Sequence, residues 1–353
     1  MSIKFIPIEF YNDLYQYIIL LIAILILLNI VPKNKSLTNL LFVFLLIFMG
    51  MRPISKYFGD MVIYNRKFNF YASGGEIGDS KDFLWQLFMK ISSHIMSNEF
   101  FFFLCTLLYV FPLYYASIKW SKKNSYILFL AFIGSFSFWA AGVNGIRSAI
   151  ATSFIIGAMA SQTKLIKILL LVFAVFFHAS MIIPITGYIL TFIITNNPKK
   201  YFLGWLISIP LSLALGGFWE NFFANIGFWD KRISYLTDKS LEDAFSHTGF
   251  RWDFLVYSAT AVIAGAYYIL LKKYKDKTYF RIFNTYLFAN AFWILVIRAS
   301  FSNRFAFLSW FLMAPVIFYP LLQTRLIKNQ NLILKMIIFA YIFFTFFMNV
   351  IYY

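Results

Sequence analysis

The chain has 353 residues, of which 61% are hydrophobic and 22% aromatic while 13% are charged. Soluble globular chains are about 45–50% apolar and about 25% charged, so the composition excludes a water-soluble domain, a coiled coil and a disordered chain, and a bilayer is the expected solvent. The net charge of +17 is scattered singly and in pairs between apolar runs, not gathered into a basic stripe with stacking aromatics, so nucleic acid is not an expected partner.

A helix that crosses a hydrocarbon core needs about 20 apolar residues, in a range of about 17–25. By that rule helices are predicted near 15–31, 37–51, 99–117, 125–142, 144–161, 164–178, 180–195, 200–217, 252–271, 281–298, 304–322 and 332–352, about 12 spans. The first ends Asn29-Ile30-Val31-Pro32 with no small-residue cleavage site, so it is expected to be a span and not a signal. Between the second and third spans runs a long loop, 52–98. Within it Leu84, Leu87, Phe88, Ile91 and Ile95 recur at helical spacing, with Asp82, Lys90 and His94 elsewhere, which predicts an amphipathic helix over 82–96 lying on the outer membrane surface. A second long loop occupies 218–250. No repeat of 20–50 residues is visible. The expected fold is an all-α integral membrane protein, a single polytopic domain over 1–353.

Charge orients it. With the N-terminus outside, the inner loops hold Lys33, Lys35, Lys119, Lys122, Lys123, Lys164, Lys167, Lys199, Lys200, Lys272, Lys273, Lys275, Lys277, Arg281, Arg325, Lys328 and Lys335, and of the acids only Asp276. That is the asymmetry expected of cytoplasmic loops. Counting 82–96 as a span, or 164–195 as one helix, would invert the later loops. Both long loops then face outward, and chemistry is expected there.

Four outward segments carry the candidates. Arg52, Asp60 and Tyr64 follow the second span. An arginine fork suits a phosphate and an aspartate at a membrane mouth suits a general base, with snorkelling and a loop salt bridge as the alternatives. Asn144 and Arg147 are three apart, which places them on one helix face, and an intramembrane arginine usually serves an interior cavity or a structural pair. His178, followed by Ala179 and Ser180, lies at an outer junction; a lone histidine there is either structural or, since an imidazole ordinarily titrates near neutrality, suited to proton transfer. Arg251 and Asp253 end the second loop and form either a local ion pair or part of a site. Arg298 and Arg304 flank a short turn with no acid nearby, which favours an anion site. If these arginines converge, they form a cationic pocket at the depth of a lipid pyrophosphate.

Several chemistries have no motif. There is no Asp-x-Asp pair, no phosphate-cradling glycine loop, no nucleophile elbow and no zinc helix. With one cysteine, Cys105, and three histidines, no disulfide, metal or other cofactor is expected.

Three features resemble the EpsG-like group of polysaccharide polymerases, related in role to the Wzy O-antigen polymerases. They are Arg52…Gly59-Asp60…Tyr64, the run Asn144-Gly145-Ile146-Arg147-Ser148-Ala149-Ile150-Ala151, and Phe177-His178-Ala179-Ser180 with Gly249-Phe250-Arg251-Trp252-Asp253 and Asn303-Arg304 beyond. The resemblance spans roughly residues 15–325. It implies a fold like that of polytopic C-type glycosyltransferases in a bacterial inner membrane, with the active site facing the periplasm. The implied substrate is undecaprenyl-pyrophosphate-linked oligosaccharide, polymerised into O-antigen, capsule or exopolysaccharide, with a chain-length regulator and a flippase as possible partners besides membrane lipids. Asp60 and His178 are then the catalytic candidates. Arg52, Tyr64, Asn144, Arg147, Arg251, Asp253, Arg298 and Arg304 are the substrate-binding ones. A lipid-linked glycan ligase shares every feature; a flippase or transporter is the alternative outside enzymes.

Overall fold

The computed structural model describes residues 6–31, 35–78, 82–225 and 249–352. Among them the regular structure is helical, and the chain forms two compact units, Met1–His178 with Leu321–Tyr353, and Ala179–Pro320.

The first unit holds α1 (Tyr11–Leu27), α2 (Lys35–Phe48), α3 (Met61–Ala72), α4 (Phe83–Ile95), α5 (Asn98–Trp120), α6 (Ser125–Ile133), α7 (Phe138–Val143), α8 (Ile146–Ala160) and α9 (Lys164–Phe177). The second holds α10 (Ile182–Ile193), α11 (Pro198–Asn225), α12 (Trp252–Ala266), α13 (Lys277–Leu295), α14 (Ser302–Trp310) and most of α15 (Met313–Gln323). The chain ends in the first unit with α16 (Gln330–Phe346), which packs along α1 and α6.

Among the described residues six helices, not twelve, are long and apolar enough to cross a membrane: Ile8–Leu27, Asn98–Trp120, Pro198–Asn225, Trp252–Leu271, Ser302–Gln323 and Gln330–Ile351. This is the build of a polytopic helical membrane protein. The other six expected spans form helices that are too short or not apolar enough. α2 has 14 residues, α8 has 15 and α9 has 14, so each rises only about 21–23 Å against a core of about 30 Å. The run over 125–142 is apolar throughout but breaks at Gly134-Ser135, leaving the 9-residue α6 and the 6-residue α7. Hydropathy registers the run, not the break. Lys335, assigned to an inner loop, lies inside α16, buried, with its ammonium donating to Asn29 Oδ1.

The described residues of the segment 52–98 are largely helical. The amphipathic helix forms as α4, with Trp85, Gln86, Met89 and Ser92 turned inward. Part of the expected apolar stripe stays uncovered: Ile91 is 53% and Ile95 70% exposed, apolar surface suited to lipid contact. Tyr71 of α3 donates its hydroxyl to Gln86 of α4. Asn98 Nδ2 donates to Asn65 Oδ1 at 2.6 Å. Of the loop 218–250, residues up to Asn225 continue α11, and 226–248, with His247, lie outside the described residues.

Close helix approach depends on small residues. Gly157 of α8 faces Pro112 of α5, Gly187 of α10 faces Phe288 of α13, and Gly265 of α12 faces Phe283 of α13. In the second unit, buried polar groups tie helices together: Trp205 Nε1 donates to Asn290 Oδ1 at 2.7 Å, and Asn290 Nδ2 to Ser309 Oγ at 2.9 Å.

Candidate functional site

The first unit gathers five of the expected residues and one that was not expected. Ser55 opens a short turn that ends at Gly59, whose φ of 59° is costly for any residue with a Cβ. The next residue, Asp60, starts α3, and its N–H donates to Asn144 Oδ1 at 2.9 Å. Asn144 and Arg147 are not on one helix: Asn144 ends α7, Gly145 precedes α8, and Arg147 lies in the first turn of α8. The break lets Asn144 hold the Asp60 turn while Arg147 addresses the next turn of α3. Tyr64 lies there, one turn beyond Asp60, and its hydroxyl accepts from Arg147 Nε at 3.1 Å.

Arg147 Nη1 donates to Asp82 Oδ2, an ion pair between largely buried side chains. Asp82 Oδ1 lies 3.9 Å from Nδ1 of His178 at the end of α9. Trp85 braces the arrangement: its ring packs edge-on against Tyr64, centroids 5.3 Å apart, and against Phe177, 5.9 Å apart. Asp60, Tyr64, Asp82, Asn144, Arg147 and His178 thus form one polar cluster drawn from α3, α4, the α7–α8 junction and α9.

The cluster's electrostatics suit proton transfer beside an anion. Burial pushes the Tyr64 phenol up, more than the Arg147 cation pulls it down, so it remains a hydroxyl near neutral pH. With its oxygen accepting from Arg147, its proton is available to a ligand. The Asp60 carboxylate is half-buried and makes no hydrogen bond or ion pair among the described residues, so its oxygens are open to a hydroxyl proton.

Arg52 is 2% exposed. It donates to the Met49 carbonyl just past the end of α2, where a cation is favoured, and its guanidinium lies 5.4 Å from the centre of the Phe58 ring. Burial lowers its pKa to about 10, still well above neutrality, so the charge persists.

The remaining expected residues belong to the second unit. Arg251 and Asp253 pair with each other, Nε to Oδ1 at 3.0 Å and Nη2 to Oδ2 at 2.6 Å, and the Arg251 guanidinium lies over Phe254. Arg298 donates to the Ser212 carbonyl at 2.8 Å and the Leu213 carbonyl at 3.4 Å. Those carbonyls precede a bend in α11 at Leu215, where φ is −131°. Arg304 stacks over Phe301, 4.6 Å from its centre.

Asp82 is the member that sequence reasoning passed over. It was read as part of the polar side of an amphipathic helix, and its partners lie 65 and 96 positions on. Its place just ahead of the first apolar residue of that helix, in a chain with 14 acids, was the only local signal. Among the described residues no three His, Cys, Asp or Glu side chains gather to hold a metal.

No curated protein and no solved structure matches the chain significantly. Residues 74–353 match the EpsG family, and the chain belongs to that family. Asp82, Asn144, Arg147 and His178 lie within the matched residues; Arg52, Asp60 and Tyr64 precede them.

Proposed function

We propose that this member of the EpsG family, a family associated with exopolysaccharide synthesis, is a polysaccharide polymerase acting at the outer face of a bacterial inner membrane. It joins oligosaccharide repeat units carried on undecaprenyl pyrophosphate. In the transfer, an acceptor hydroxyl oxygen bonds to the anomeric carbon of the growing glycan. The bond from that carbon to pyrophosphate breaks, and lipid pyrophosphate leaves with its electron pair. The driving force is in the donor, in line with the lack of any nucleotide-binding motif.

The observation that carries this reading is the polar cluster around Arg147. A glycosyl transfer of this kind needs a cation where pyrophosphate charge builds up, a base near the acceptor hydroxyl, and polar groups to orient both. Arg147, held by Tyr64 and Asp82, is the cation. Asp60 is the first choice of base and His178 the second. Tyr64 and Asn144 orient, and Arg52 adds positive charge from its buried position.

The test is direct. Purified protein is incubated with a lipid-linked repeat unit, and the products are separated by length. A ladder of increasing lengths is the expected result. A single glycan moved to another lipid would make the protein a ligase, and unchanged substrate would remove the reading.

A further inference from the structure

We infer that Asp82 is a positioning residue that governs two groups at once, holding Arg147 by one carboxylate oxygen and orienting the His178 imidazole by the other. Its consequence for activity rests on the polymerase reading; its consequence for the histidine does not.

A buried carboxylate needs compensation by charge or hydrogen bonds. Asp82 receives it on Oδ2 from Arg147 Nη1. Its second oxygen, Oδ1, faces His178 Nδ1 at 3.9 Å, which is ion-pair reach and about 1 Å longer than a hydrogen bond. The ring cannot turn away into water, because His178 is 4% exposed. Its backbone is fixed too, extended at φ −154° and ψ 106° at the end of α9, with its N–H bonded to the Ala174 carbonyl.

Asp82, just ahead of α4, faces Nδ1 of the imidazole and pairs through its other oxygen with Arg147 of α8. A carboxylate opposite one ring nitrogen favours the proton on that nitrogen and leaves the lone pair on the other. With Nδ1–H toward Asp82, the neutral ring carries its lone pair on Nε2, the nitrogen that a transferred proton would join while Nδ1 keeps its own. The same carboxylate neutralises Arg147, so the imidazolium formed by that transfer faces an ion pair instead of a bare guanidinium. One acid thus sets the aim of the anion-binding arginine and the tautomer of the histidine.

The experiment uses full-length protein in nanodiscs with nitrogen-15 histidine. The chain has three histidines, and the His178 signal is identified by its loss in His178→Gln. The neutral form of His178 is expected to be the Nδ1–H tautomer. In Asp82→Asn its titration midpoint is expected to fall by about one unit or more, since an opposite charge is lost, and in Asp82→Glu to stay near the wild-type value. Ladder formation is expected to drop at least about tenfold in kcat for Asp82→Asn and to recover in part for Asp82→Glu. An Nε2–H tautomer in the wild type, or an unchanged midpoint in Asp82→Asn, would overturn the inference. If Asp82→Asn does not fold, the wild-type tautomer decides. If the wild type forms no ladder, the polymerase reading fails while the titration still judges Asp82.

Discussion

The side chain of Asn144 occupies the space that a Cβ on residue 59 would need. Its amide oxygen is also the acceptor for the Asp60 N–H, so the atom that latches the turn is the one that requires a glycine there. Gly59 supplies both the positive φ and the room for its own latch.

Gly59→Ala therefore meets a backbone cost and an overlap with Asn144. The expected loss of stability is about 1–3 kcal/mol from the backbone alone, with the overlap added. Asn144→Ala removes the overlap, so the double variant is expected to be less damaged than the two single losses together predict. Thermal unfolding of the four proteins in detergent measures this; strict additivity would mean that the two residues do not constrain each other.

Arg147→Ala is expected to abolish the ladder in protein that still inserts. Arg147→Lys is expected to fail as well, because a single ammonium cannot reproduce the fork that bonds Tyr64 by Nε and Asp82 by Nη1. Losing a charged hydrogen bond in a desolvated site costs about 2–5 kcal/mol. Ladders of near-normal rate from both variants would remove Arg147 from pyrophosphate binding.

The base is tested by a pair of substitutions. Asp60→Asn keeps the size and the N–H that Asn144 accepts but removes the carboxylate charge. It is expected to bind lipid-linked substrate and form no ladder, with a rate loss of about 10²–10⁴-fold. His178→Gln is expected to be milder. The opposite ranking would exchange their roles, and activity in both would place the base elsewhere.

Arg298 is expected to act on stability first. It donates to two carbonyls just ahead of the bend in α11, and Gly216 is packed so tightly on its guanidinium that a side chain there would displace it. Arg298→Ala and Gly216→Ala are each expected to cost about 1–3 kcal/mol, the penalty for leaving buried polar groups unsatisfied. Full stability in Arg298→Ala, with weakened substrate binding, would return this arginine to the anion site.

The lysine distribution predicts the orientation. The native Cys105 is buried, so a membrane-impermeant thiol reagent reports on introduced cysteines. Ser73→Cys is expected to react from outside the cell and Lys275→Cys only after the membrane is opened. The reverse pattern would turn the molecule over.

Much of the polar cluster could be read in the chain because its members sit in short local patterns. Gly59-Asp60, Asn144-Gly145-Ile146-Arg147 and Phe177-His178 each mark a turn or helix end, and turn chemistry is local. The pairing of Arg147 with Asp82 was not legible, since it depends on α4 folding back between α3 and α9. Arg298 was misleading for a similar reason. A pair of arginines without a nearby acid looks like an anion site, but Arg298 donates to carbonyls 85 and 86 positions away, just ahead of a bend that hydropathy cannot register. The helical nature of the chain was plain from composition. The number of long helices was not, because apolar runs persist through the break at Gly134.

That break bears on how the protein is made. All nine side chains of α6 are buried, so this helix presents no face to lipid, and at nine residues it is too short to be inserted as a span by itself. Its surroundings come from α2, α5 and α16, and Thr345 Oγ1 donates to the Gly134 carbonyl at 2.9 Å. The nascent chain therefore carries an incompletely enclosed segment until α16 emerges from the ribosome. A chain truncated before residue 330 would leave α6 open on one side, a mark by which membrane quality-control proteases could distinguish unfinished molecules from finished ones.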